Sequence, residues 1–270
     1  LDSSIFSIVF LDSQDHVRLI STMRSRIKVH IETAWQAMSK VVQRRDIVVV
    51  VDVLRASTTV VNAFANGALR VYPVETIREA LAMKKTNPEI LVCGERDGLR
   101  PRGFDLGNSP LEYTPETVRG RWIAMTTTDG TRAMNRARAT QGPVLVGACI
   151  NSAATARKAF ELAGKLGSGV SIVAVGRKGE FSLEDFLCAG LIAGKLPEDK
   201  CEYSDAVFAA ICFTNNANKR FVTLFNKSSH VGELKEIGLG KDVAFASNID
   251  KFGIVPVLNR GDSYFKLESS

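Results

Sequence analysis

The stretch "IVVVVDVLRASTT", residues 47 to 59, sets a strand-sized apolar run against a polar turn and the start of a helix. Ile47 to Val53 reads as a β-strand, and Ser57, Thr58 and Thr59 open a helix reaching about residue 66. The same alternation recurs along the chain. Further strands are expected at Ile27 to His30, Val71 to Val74, Ile90 to Cys93, Arg121 to Met125, Val144 to Gly147, Val170 to Val175 and Ile254 to Leu258. Helical periodicity marks about 32 to 42, 76 to 86, 131 to 139, 151 to 165, 183 to 195 and 203 to 217. Short β-branched runs alternating with amphipathic stretches predict an α/β fold, with a mixed or largely parallel sheet and helices on both faces.

With 270 residues, 45% of them hydrophobic, the chain can bury a sizeable core. Residues 23 to 265 are expected to form a single α/β domain, with a seam near "GKLGSG" (164 to 169) that can join two lobes. Residues 1 to 22 carry acidic residues where a secretion signal would carry basic ones, and read as an atypical extension. Apolar runs fall far short of the roughly 20 residues that a membrane span needs, so a soluble protein without membrane contact is expected. The net charge of +6 favours anionic partners, but it is not clustered among aromatic residues, which argues against nucleic acid and for a small anion. Five cysteines, odd in number and without a CxxC pair, fit a reducing cytoplasm.

The polar clusters follow the carboxyl ends of five expected strands, where helix N-termini converge in open α/β sheets, so one shared cleft is expected. Asp52 interrupts an apolar run, and its charge needs a partner or a metal; Arg55 stands three residues on. In "TTTDGTRA" (126 to 133), Thr126 to Thr128 leave a strand, Asp129 and Gly130 allow a turn, and Thr131 caps a helix beginning near Arg132. That is a phosphate or sulfonate cradle as well as a capped turn. The loop "GERDGLRPRGFDLGNSP" (94 to 110) mixes Glu95, Asp97 and Asp105 with Arg96, Arg100 and Arg102, then adds Asn108 and Ser109. Carboxylates suit a hard cation and guanidiniums its anion, although a solvated surface loop would carry the same residues. "GRKGEFSLEDF" (176 to 186) supplies Glu184 and Asp185 behind Ser182, in a spacing that helix capping also uses. His16, His30 and His230 are scattered and read as incidental, which leaves an oxygen-ligated ion as the preferred metal. P-loop, GxGxxG and GxSxG patterns are absent.

In this order, "DVLRASTTVVNAFANGA", "GERDG", "GFDLGNSPLEY", "TTTDGTRA" and "FSLEDFLCAG" resemble the 2-phosphosulfolactate phosphatase family of coenzyme M biosynthesis. The likeness runs from about Ile47 to Gly194 and resumes weakly in "GELKEIGLGKDVAFASNIDKFGIVPVL" (232 to 258). It implies a Mg2+-dependent phosphohydrolase, dimeric, converting 2-phospho-3-sulfolactate to 3-sulfolactate and phosphate. Carried over, the catalytic positions are Asp52, Arg55, Arg96, Arg132 and Asp185. The substrate-binding positions are Ser57, Thr58, Asn108, Ser109, Thr127, Thr128, Gly130, Thr131 and Asn151, and the metal ligands are drawn from Asp52, Glu95, Asp105 and Glu184. The family's RATT and TTNGT stand here as Arg55-Ala56-Ser57-Thr58 and as Thr127 to Thr131 with Asp129 in place of Asn, which adds a negative charge beside the anion site. The expected mechanism has Mg2+ on Asp52 with Glu95 or Asp185, in-line attack by water or by a carboxylate, and the three arginines on the substrate's anionic oxygens. A hydrolase for another phospho-hydroxy acid and a non-catalytic binder of a small acid are the rival readings.

Overall fold

The computed structural model describes residues 7–11, 17–21, 26–217 and 220–268. Its organising strand is β4 (Ile47–Val51), following β1 (Ser7–Leu11), β2 (Val17–Ser21), β3 (Ile27–Glu32) and α1 (Met38–Arg44), and buried at all five positions. Successive side chains of a strand point to opposite faces. Ile47, Val49 and Val51 accordingly enter one core, while Val48 and Val50 enter another. Cover on both faces is what a parallel central strand requires.

After β4 come α2 (Ala56–Ala65), β5 (Arg70–Pro73), α3 (Ile77–Thr86), β6 (Leu91–Gly94), α4 (Pro115–Val118), β7 (Trp122–Thr126), α5 (Gly130–Ala137), β8 (Val144–Gly147), α6 (Ser152–Leu166), β9 (Val170–Ala174) and α7 (Leu183–Ala193). The chain closes with β10 (Cys201–Tyr203), α8 (Asp205–Ala217), α9 (Phe221–Phe225), α10 (Ser229–Glu236), α11 (Gly240–Ala246) and β11 (Val257–Leu258). A six-stranded sheet runs β10-β3-β9-β4-β8-β11, parallel except for β11. Residues of α6, α7 and α8 cover one face, and α1, α2 and α5 cover the other.

The fold is α/β with helices on both faces, as expected, but its strands are divided between two main sheets. β5, β7 and β6 form a separate parallel sheet. Val71, Cys93, Ile123 and Met125 share the core under α2 and α5, whereas Val92 and Ala124 pack with Ala80 of α3. α2 and α5 are therefore a layer between two sheets, and the carboxyl ends of both sheets open on one side of it.

Several limits move. The helix expected from residue 32 begins at Met38, because Glu32 still belongs to β3. The "GKLGSG" stretch leads from α6, through Gly167 at φ +63°, directly into β9 of the main sheet. Of the N-terminal extension, β1 and β2 pair antiparallel, and the rest, with His16, lies outside the described residues. Cys93, Cys149, Cys188 and Cys201 are buried free thiols. Among the described residues, no helix is long and apolar enough to cross a membrane.

Candidate active site

The exits of β4, β6, β7 and β9 surround a cleft of about 160 Å³, which residues of α10 and Ile237 also line. Asp52, on the exit of β4, lies 91% buried. Its Oδ1 accepts from the Ala56 N–H at 3.2 Å. Its carboxyl is pushed up to about 7 by burial, against the pull of nearby His230 and the Ala56 amide, with the charges of Glu95 and Asp129 adding to the rise. Arg55 does not relieve it. The Leu54–Arg55 peptide is cis, and the guanidinium reaches Asp242 Oδ2 at 2.8 Å and the Gly98 carbonyl at 2.7 Å. Asp242, buried and bonded to the Ser109 hydroxyl at 2.7 Å, is the counterion expected at Asp52.

The hydroxyls that follow serve as stitching. Ser57 Oγ accepts from the Asp52 N–H at 2.9 Å and donates to the Val50 carbonyl, and Thr58 Oγ1 donates to the Val53 carbonyl at 2.7 Å. In the threonine run, Thr127 and Thr131 each accept the other's backbone N–H, at 3.0 and 2.9 Å. Thr128 donates its N–H to Glu95 Oε1 at 2.8 Å, and Glu95 Oε2 accepts from the Gly98 N–H at 2.8 Å. Asp129 accepts from the Trp35 indole and from the Lys178 N–H, so it latches the exit of β7 to that of β9. Gly94 must be glycine. At φ +133° it passes so near β7 that a β-carbon would fall 1.9 Å from the Thr126 carbonyl oxygen.

Asp185 straps two strand exits together, accepting from Val53 N–H at 2.7 Å and Gly176 N–H at 3.1 Å. Burial, reinforced by Glu184 and Asp52, holds its carboxyl well above the usual range. Its neighbour Glu184 behaves oppositely: burial would raise it, but hydrogen bonds with His230 and Ser228 bring it below its ordinary value.

Of the residues singled out by sequence, Asp52, Arg55, Glu95, Asp97, Asn108, Thr127, Thr128, Asp129 and Asp185 line the cleft. Thr131, Ser57, Thr58, Ser109 and Glu184 stand behind it through the bonds above, and Gly130 packs against the Asp52 carboxylate. Arg96 binds the carbonyls of Glu95 and Glu75 and the Thr126 hydroxyl. Arg132 is exposed on α5 with no ion pair among the described residues. Asp105 pairs with Lys84 and accepts from the Val92 N–H, and Asn151 caps the exit of β8 through Ala148 N–H and the Val146 carbonyl, both outside the cleft. Arg177, Lys178, Glu233 and His230 line it as well, unforeseen from the sequence. His230 is thus not incidental to the site. A turn signal was available for two of them. Asp97-Gly98 (φ 51°, 82°) and Lys178-Gly179 (φ 51°, 83°) make like-built left-handed turns, closed by Arg96 with Leu99 and Arg177 with Glu180.

Among the described residues, no group of three or more His, Cys, Asp or Glu forms a metal cage. Magnesium commonly needs only one or two carboxylates beside water and phosphate oxygens. Asp52 and Glu95 meet that requirement: both are hard oxygen donors on the cleft, and Asp52 Oδ2 accepts no hydrogen bond among the described residues.

The family described as 2-phosphosulpholactate phosphatase matches residues 34–261. A probable 2-phosphosulfolactate phosphatase of Thermotoga petrophila is 39% identical over 213 residues, covering 79% of this chain and 89% of that protein. Proteins of the same description from Clostridium acetobutylicum and Clostridium botulinum are 38% and 32% identical, covering 79% and 89% of this chain and 90% and 100% of their own lengths. The chain belongs to the 2-phosphosulfolactate phosphatase family, a family of phosphoric monoester hydrolases.

Proposed function

We propose that this protein hydrolyses 2-phospho-3-sulfolactate to 3-sulfolactate and phosphate in a magnesium-dependent reaction. The observation that carries the reading is Asp52: a buried carboxylate on the cleft whose expected cation, Arg55, is bound to Asp242 instead. Asp52 and Glu95 would hold the ion, and bound magnesium supplies charge neutralisation at the phosphate.

The chain's own groups account for the rest of substrate recognition. Asn108, 96% buried and with its Oδ1 unpartnered, presents its amide to the cleft for a polar group of the substrate. Arg177 and Lys178, on the turn after β9, bring positive charge for the sulfonate and carboxylate. Leu54, Leu234 and Ile237 contribute apolar surface to the cleft beside these polar groups. Asp129 does not stand as a bare negative charge there, because Trp35 and Lys178 donate to its two oxygens. On the family likeness alone, the reading extends to a cytoplasmic homodimer acting in coenzyme M biosynthesis.

The test is phosphate release from 2-phosphosulfolactate and from phospholactate, with magnesium and with chelator. Chelator-sensitive turnover favouring the sulfonated compound is expected. Preference for phospholactate would keep the chemistry and move the substrate, and turnover unaffected by chelator would remove the metal.

A further inference from the structure

His230 has the surroundings of a working acid rather than of a packing residue. It sits in the first turn of α10, an element anchored in the core by Val231 and Leu234, with Phe225 just before it. Its Nδ1 lies 3.1 Å from Glu184 Oε1, and the other oxygen of Glu184 is taken by the Ser228 hydroxyl. Glu184 is 99% buried, so this carboxylate has one orientation and fixes the ring. The ring's Nε2 makes no hydrogen bond among the described residues, and His230 lines the same cleft as Asp52 and Asn108. A base or acid held by a third, buried group is the arrangement that directed proton transfer uses.

Resting on the phosphatase reading above, we propose that His230 is the proton donor to the leaving C2 oxygen of the substrate, and that Glu184, held by Ser228, is its positioning residue. The ester P–O bond breaks with its electron pair passing to the C2 oxygen, which takes the Nε2 proton and leaves as the alcohol. The oxygen of a water bonds to phosphorus, one of that water's protons goes to solvent, and His230 regains a proton from solvent. One ester bond and one water are consumed, and an alcohol and hydrogen phosphate result. The need is chemical: the leaving group is an unactivated secondary alkoxide, which departs poorly unless protonated. The charged groups around the ring are Glu184 from α7, Asp52 from the exit of β4, Glu233 on its own helix, and Arg177 and Lys178 next to Glu233.

The experiment measures kcat and KM for 2-phosphosulfolactate against pH in the wild type, His230→Asn, His230→Gln and Glu184→Gln, each first shown to be folded by circular dichroism and thermal melting. A general acid contributes roughly 100- to 10,000-fold. Wild-type kcat should fall at high pH; both His230 variants should lose at least about 100-fold in kcat, keep KM within about threefold, and lose the basic limb. Glu184→Gln should lower kcat by at least about tenfold while KM stays within about threefold; a merely structural Glu184 would lower the melting temperature and leave kcat of the folded variant unchanged. A His230 variant with kcat near wild type, or one that keeps the basic limb, overturns the proposal. So does acid-labile phosphate trapped on His230, which would make it a nucleophile. Absence of turnover by the wild type would instead sink the substrate reading and this role with it.

Discussion

Gly130 stands so close to Asp52 that a β-carbon on it would fall 2.4 Å from the Oδ2 of that carboxylate and 2.6 Å from the Ala56 β-carbon. The glycine is what lets the first turn of α5 close over the exit of β4. Gly130→Ala must push Asp52 or α2 aside, and overpacking of that kind costs about 1 to 3 kcal/mol. Because the displaced oxygen is the one that accepts no hydrogen bond among the described residues, phosphate release should drop more than tenfold while the fold survives. Full activity in this variant would show that the closeness of α5 to Asp52 has no catalytic use.

The Arg55–Asp242 pair joins the turn before α2 to α11 and buries both charges, which are 5% and 2% exposed. Removing one partner of such a pair leaves the other charge uncompensated, at a cost of about 3 to 5 kcal/mol. Asp242→Ala should therefore lower the denaturant midpoint far more than a typical surface substitution, and Asp242→Leu should do no better, since Arg55 remains charged. The double variant Arg55→Met with Asp242→Leu should recover much of the loss. If the double variant is as unstable as the sum of the two single ones, the pair is not the source of the cost.

Much of this was legible because single segments carry it. The unbroken run Ile47–Val51 reads as a strand wherever it lies, and an Asp after five apolar residues marks itself as unusual. The same run hides the sheet count: Val48 and Ile47 look alike, yet they face different cores, and nothing local says that β5, β6 and β7 pair apart from the rest. The harder failures are long-range. Arg55 finds its counterion 187 positions away, and His230 joins the site through Glu184, 46 positions before it. A residue defined by such a partner has no periodicity or spacing to announce it.

The two oxygens of Asp129 accept from Trp35 Nε1 at 3.2 Å and Lys178 N–H at 2.9 Å. An amide has only one oxygen to offer those two donors. Asp129→Asn should lose one bond and melt slightly earlier, by about 1 kcal/mol of stability. It should also bind the anionic substrate better, with KM two- to fivefold lower by the order of a partly screened charge. An unchanged or higher KM would mean that the aspartate's charge is fully absorbed by its latch.

Asp52 links the site to stability, and the sign follows from its position. Burial, which disfavours the charged form, is the chief cause that pushes its carboxyl up to about 7 in the fold, against 3.8 ordinarily. The folded chain therefore holds a proton that the unfolded chain releases between those two values. Near pH 4 the group costs little; as pH rises through 7 the full penalty develops, of the order of 4 kcal/mol at most. In chelator, Asp52→Asn should thus melt close to wild type near pH 4 and well above it at pH 8, although it is inactive. Magnesium should raise the wild-type midpoint at pH 8, where the carboxylate is ionised, and leave the asparagine variant almost unmoved. Equal melting of the two proteins at both pH values would mean that Asp52 ionises without penalty, and that burial sets no demand for a cation there.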